Sequence, residues 1–538
     1  MRVPTMRTVR GLLRTTTGRV GTGVALAALA SAALASCDKH VSPVESLPVA
    51  PAASLDANAG AWRMLVLTGP DQMPVAAPDP VGSAAYAAQL DSVRQVQAGV
   101  TDADRRAVAY WDAGGVLRWN EIERELTARF NLPPAPGAAG TYPIPSAANP
   151  FGYPQFPFAN PPYAARAYSY VAVAQYEALK AAWFAKFRYG RAAPGVVDAK
   201  VGDAAVAAGA ARPSALPAYP SEAAVLAGVS SEMLKLLFPA AVDDIAARAA
   251  EEQRAALVAG TATPSDLAAG TALGRAVAAT VIARAKADGM GQAVGTPALW
   301  QALTDSATAR GEVAWVSQEA PARPPMLPNF GSVKAWTLTS AQVDSLLPPA
   351  PPSASSPQMA ADLAEVKRTV ANLTRNQLAV AQRWNDGAGT YTPPGHWNEI
   401  AAAYVSGARM SEVRAARTFA LLNMAMHDAA VGCWRVKYRY VTPRPAQLDP
   451  SIKTVIGLPN FPSYPSGHST FSAAAAEVLG HVFPSAATTF EQQADEAGIS
   501  RLYGGIHYRT DITNGKLHGQ RIGAAVVRLA QGDGAEHE

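Results

Sequence analysis

The chain repeats itself, and no other feature of the sequence constrains its fold as much. Trp62 and Trp336 open two similar stretches. Leu90 to Trp111 aligns with Leu363 to Trp384 without a gap, and Trp119-Asn120-Glu121-Ile122 recurs as Trp397-Asn398-Glu399-Ile400. Arg166 to Pro194 aligns with Arg417 to Pro445, and Tyr219-Pro220-Ser221 with Tyr464-Pro465-Ser466. The match ends with Asp288-Gly289 on Asp533-Gly534. A chain of 538 residues would ordinarily suggest three or four domains. The repeat instead predicts two, at 62–289 and 336–534, joined by a linker over 290–335.

Each copy reads as helices. Val225, Val229, Met233 and Leu236 recur at helical spacing after Ser221, a plausible N-cap. Arg417 to Val436 is long and Ala-rich, and no convincing alternating strand with a tight turn is present. The expected fold class is all-α, two tandem helical bundles. Residues 132–163 form a Pro, Gly and aromatic insertion without a counterpart of similar length, either a lid or interface loop or an inert surface loop.

The first 19 residues hold five arginines and no acid, and an apolar stretch runs from Val20 to Ala35. This is an export signal. It ends in Leu34-Ala35-Ser36-Cys37, a lipobox-like pattern that predicts cleavage after residue 36 and lipidation of Cys37. Residues 37–61 then read as a tether, and the mature protein is expected in the cell envelope, anchored by lipid alone. On a Gram-negative cell that is the periplasmic side. A net charge of +4 excludes a nucleic-acid protein, and two cysteines exclude a disulfide framework or a Cys-based metal site.

Three clusters carry the chemistry: Lys437 with Arg444, then Ser466-Gly467-His468, then Arg501, His507 and Asp511. Three cations can surround a tetrahedral oxyanion. A helix start after Ser466 offers free N–H groups, and Gly467 allows close backbone approach. Two histidines remain for acid–base or ligand work, with Asp511 placed to fix the tautomer of His507. The first copy is an internal control. It has Ala193, Glu222, Ala223, Ala256 and Ala262 opposite Arg444, Gly467, His468, Arg501 and His507. It keeps Lys186, Ser221 and Asp266, which reads as two N-caps and a solvated lysine. One active site is therefore expected, in the second copy.

In this order and spacing the clusters resemble the superfamily of vanadium-dependent haloperoxidases and type 2 phosphatidic acid phosphatases. The duplicated helical architecture looks like the soluble haloperoxidase branch, and Phe461 with Trp434 is similar to fungal chloroperoxidases. The resemblance implies vanadate held by Lys437, Arg444, Ser466, Gly467 and Arg501, with His507 as the vanadium ligand and His468 as the acid–base group. Hydrogen peroxide and halide would then yield hypohalous acid. The same residues serve a phosphatase acting on phosphate esters without vanadate, through a phosphohistidine at His507 oriented by Asp511. Asp386 looks like the acid that pairs with Arg501 in those enzymes, although the similar Asp112 leaves a loop-capping role open. His427-Asp428 is expected to pack or to form a helix salt bridge, and His396 to lie on the surface or near the pocket mouth. Tyr503 and Tyr508 are expected to line the pocket or simply to pack.

Overall fold

The computed structural model describes residues 52–132, 160–211 and 215–535. The signal segment, Cys37 and most of the insertion lie outside the described residues. Among the described residues there are helices and no strand, as the periodicity predicts. Ten helices carry the architecture. In the first half these are α1 (Gly115–Phe130), α2 (Pro161–Tyr189), α3 (Glu222–Leu237), α4 (Val242–Val258) and α5 (Pro264–Lys286). In the second they are α6 (Thr392–Gly407), α7 (Glu412–Tyr440), α8 (Gly467–Val482), α9 (Ala487–Tyr503) and α10 (Arg509–Ala530).

The long helices α2 and α7, each 29 residues, pack on each other at the centre. Both are buried almost throughout, so both read as nearly continuous Ala and aromatic sequence rather than as amphipathic stripes. One hydrophobic core runs through both halves. Polar ties cross it. Asn120 donates to Asn398, and Asn398 to Asn423, both at 2.8 Å. Glu412, the first residue of α7, accepts from the N–H groups of Gly115 and Val116 at the start of α1. Those N–H groups have no partner within their own helix, so the carboxylate caps one half from the other.

Contacts in the two halves recur in pairs. Arg166 bridges to Asp288 and the Ala285 carbonyl, and Arg417 does the same with Asp533 and the Ala530 carbonyl. Glu177 accepts from Leu65, Val66 and Leu67, and Asp428 from Trp336 and Thr337. The packing role expected for His427-Asp428 is met by these bonds and by a contact of His427 Nε2 with the Lys334 carbonyl.

Glycines set the spacing of the second helix pair in each half. A Cβ at Gly274 would lie 2.3 Å from the Val225 oxygen, and one at Gly519 would lie 2.2 Å from the Thr470 oxygen. Backbone therefore meets backbone where α5 crosses α3 and where α10 crosses α8. By length and composition the helical segment Pro264–Gln292, which contains α5, could cross a membrane, yet it packs here as a core helix. This close approach fixes α10, and hence Asp511, against the start of α8. Gly519→Ala should lower stability by about 2–3 kcal/mol, because the core backbone must part to admit the methyl. Gly407→Ala meets nothing within 4 Å and should not destabilise. Urea midpoints of the two variants check the contrast.

Candidate active site

The three clusters converge on one cavity of about 450 Å³. Its wall includes Gly467, His468, Arg501 and His507, with Trp434, Phe461 and Phe471 as an aromatic side. Asp386, Asn385, Asn460 and Arg323 also reach it. Lys437, Arg444, Ser466 and Asp511 stand behind that wall, all buried. The sequence reading had these cations surrounding the anion directly. In the structure Lys437 Nζ instead donates to the carbonyls of Pro462, Ser463 and Pro465 at 2.9, 2.8 and 2.5 Å. Arg444 donates to the Phe461 and Ile506 carbonyls, and its side chain lies over the Phe461 ring.

His507 is held at both ends. Its Nδ1 lies 2.8 Å from Asp511 Oδ2, and its Nε2 lies 3.0 Å from an Arg444 guanidinium nitrogen. Arg444 can only donate, so Nε2 carries the lone pair and Nδ1 the proton. Burial, then the charges of Arg444, Lys437 and Arg501, push the imidazole well below its ordinary pKa. The result is a neutral ring that lines the cavity, with Nε2 accepting from Arg444 and Nδ1 donating to Asp511. Ser463 donates to the same Asp511 oxygen at 2.5 Å. Sequence reasoning missed Ser463, yet the signal was present, since Ala218 occupies the matching position of the first copy. Burial raises the Asp511 carboxyl.

Lys437, Arg444 and Arg501 are 0–1% exposed, and no carboxylate pairs with them among the described residues. Burial pushes Arg444 and Arg501 down to about 10, so both remain cations at neutral pH. Burial pushes Lys437 further, down to about 7, and two buried guanidinium charges beside it are too costly to leave with carbonyl dipoles alone. The donor set therefore fits a tetrahedral oxyanion such as vanadate or phosphate. Ser466 caps α8 by accepting from Ser469 N, which leaves its own hydroxyl hydrogen to donate. A Cβ at Gly467 would meet only Phe471 and Trp434, at ordinary contact distances of 3.7 and 3.9 Å. Packing does not demand glycine there; a side chain would fill the cavity.

The first half shows what does fill it. Glu222, opposite Gly467, reaches Lys186 at 2.5 Å. Lys186 is fully buried, not solvated as expected, because this carboxylate neutralises it. Ser221 is an N-cap as expected, but Asp266 is not. Thr263 caps α5, and Asp266 at the third helical position accepts from Thr263 and pairs with Arg191.

Two further expectations are corrected. His396 is buried within α6, stacked on Trp384 with ring centroids 4.2 Å apart. Asp386 meets His396 at 3.0 Å and His468 at 3.4 Å, not Arg501. Arg501 donates to Ser500 Oγ and to the carbonyls of Ala381 and Trp384. Tyr508 is buried and Tyr503 half-buried, both away from this cavity.

The unpaired cations should be a stability cost that the ligand offsets. Arg501→Met should leave the ligand-free protein as stable or more so, while abolishing the rise in melting temperature that added vanadate gives. Thermal melts of both proteins with and without orthovanadate test this.

Residues 417–534 match the model of the PAP2 superfamily. No curated protein matches the chain. Two solved structures resemble it in fold. One, described as the first bacterial vanadium-dependent iodoperoxidase, is 23% identical with a TM-score of 0.52, over 69% of this chain and 91% of that one. The other, a holo-type bacterial vanadium-dependent chloroperoxidase, is 15% identical with a TM-score of 0.51, over 72% of this chain and 96% of that one. The segment that matches the PAP2 superfamily model, 417–534, contains all three clusters that converge on the cavity.

Proposed function

We propose that the protein is a vanadate-dependent haloperoxidase, oxidising halide with hydrogen peroxide to hypohalous acid. The observation that carries this reading is the neutral His507, whose hydrogen-free Nε2 accepts from Arg444, on a cavity that Arg501 lines and that Lys437 and Arg444 stand behind. Vanadate, when bound there, supplies the Lewis acid that activates peroxide toward halide. Lys437, Arg444 and Arg501 balance its charge, and Ser466 with the N–H groups at the start of α8 adds hydrogen bonds. Asp511 holds the Nδ1 proton of His507, so that Nε2 remains the ligand atom.

His468 favours peroxide over an ester. Burial and the charge of Arg501 push it down to about 4, against the pull of Asp386. A ring neutral at pH 7 takes a proton from incoming peroxide; a phosphatase needs the same ring protonated to release its alcohol. Trp434, Phe461 and Phe471 give the cavity an aromatic side next to Gly467 and His468. The fold shared with two bacterial vanadium-dependent peroxidases supports the same reading. The first half is proposed to be a degenerate copy retained as scaffold, which the paired contacts support.

The test is paired turnover on one preparation of residues 38–538. With vanadate, peroxide and bromide it should brominate an indicator dye, and His507→Ala should abolish this. Release of phosphate from a generic monoester, inhibited by vanadate and without bromination, would overturn the proposal in favour of the phosphatase. A lipid anchor at Cys37 is the second proposal here. Cys37→Ser in the full chain should move the protein from the membrane to the soluble fraction. An unchanged distribution would reject it.

A further inference from the structure

We infer that His396 is a positioning residue, acting through Asp386 to fix which nitrogen of His468 carries its proton. The inference rests on the reading of His468 as the site's acid–base group and adds a residue to it. His396 Nδ1 lies 3.0 Å from Asp386 Oδ1, and His468 Nε2 lies 3.4 Å from Asp386 Oδ2. Asp386 Oδ2 and His468 Nε2 are both buried, and neither makes a well-formed hydrogen bond, to the other at 3.4 Å or to any other group among the described residues. Each is therefore the nearest partner available to the other. One carboxylate joins the two rings, and its side chain is only 5% exposed.

The protonation pattern follows from the carboxylate. Burial alone would raise Asp386, but its bonds to His396 and His468 outweigh this and hold it below the ordinary carboxylate range. An ionised carboxylate only accepts, so both facing nitrogens carry hydrogen. His468 is neutral at pH 7 and so has one ring hydrogen. With that hydrogen on Nε2, its lone pair is on Nδ1, available to a molecule in the cavity that His468 lines.

Asp386 needs help to stay where it is. Its φ is +47°, a left-handed conformation that L-residues disfavour. Asp112, which follows Trp111 directly as Asn385 follows Trp384, has φ −67° and ends a helix in the ordinary right-handed form. What differs around it is the partner. Arg118 stands where His396 stands, and it turns to the Tyr110 carbonyl and ring instead. His396 is itself immobilised by the stack on Trp384 and by burial. It supplies the fixed hydrogen that keeps the Asp386 carboxylate turned toward His468.

The test reads the proton directly. Nitrogen-15 histidine labelling of the ligand-free protein reports the tautomer of each ring, and loss of one signal in His468→Gln assigns His468. Wild type should show the Nε2–H form. His396→Phe keeps an aromatic ring against Trp384 but offers no hydrogen, and should leave His468 as a mixture of tautomers. His396→Asn restores an N–H near the position of Nδ1 and should recover the wild-type pattern. In the bromination assay His396→Phe should lose about tenfold in kcat with little change in KM for bromide, and His396→Asn should regain most of it. An unchanged His468 tautomer in a folded His396→Phe protein would overturn the inference. So would a loss that His396→Asn fails to recover. The tautomer is read without turnover, so absence of bromination in wild type would reject the haloperoxidase and leave this result to stand or fall by itself.

Discussion

Two guanidinium charges and the amine of Lys437 are buried behind and beside one cavity with no carboxylate paired to them among the described residues, and the second half of the protein is arranged around that imbalance. Lys437 and Arg444 are held by carbonyl groups of the segment 461–465 and by Ile506, and Arg501 by the carbonyls of Ala381 and Trp384. Carbonyl dipoles orient the cations without cancelling them. Field therefore remains for a ligand, and the start of α8 adds the positive end of a helix to it. Burial first, and then the same field, lowers the proton affinity of His507 and His468, so charge placement and acid–base behaviour are linked.

Asp511 illustrates how little distinguishes a site from a scaffold. In the first half Asp266 accepts from Thr263 and neutralises Arg191, so it is spent on holding a helix start. In the second half the corresponding aspartate still bonds the start of α10 through Tyr508 N, yet the same oxygen also takes His507 Nδ1 and the Ser463 hydroxyl. A structural capping residue has become the group that decides which nitrogen of a histidine is free.

Much of this was legible in the sequence because helices and oxyanion sites are both local patterns. The helical period, Ser221 and Ser466 as caps, and the cluster of Arg501, His507 and Asp511 each lie within one or two turns. The failures came from contacts whose partners are set by tertiary packing. Lys186 read as solvated because its partner Glu222 is distant in sequence and meets it only when α3 docks on α2. His396 read as a surface residue because the turn that brings Asp386 to it depends on a backbone angle that composition does not announce. The carbonyls holding Lys437 belong to every residue type alike, so no motif could have named them.

The Glu222–Lys186 pair also separates the two halves by the kind of chemical potential they answer to. The first half carries its anion on a peptide bond, at an effective concentration no dilution can change. The second half takes its anion from solution, and its occupancy follows mass action. Because one apolar core spans both, the covalently neutralised half can hold the geometry of the other while that site waits for its ligand.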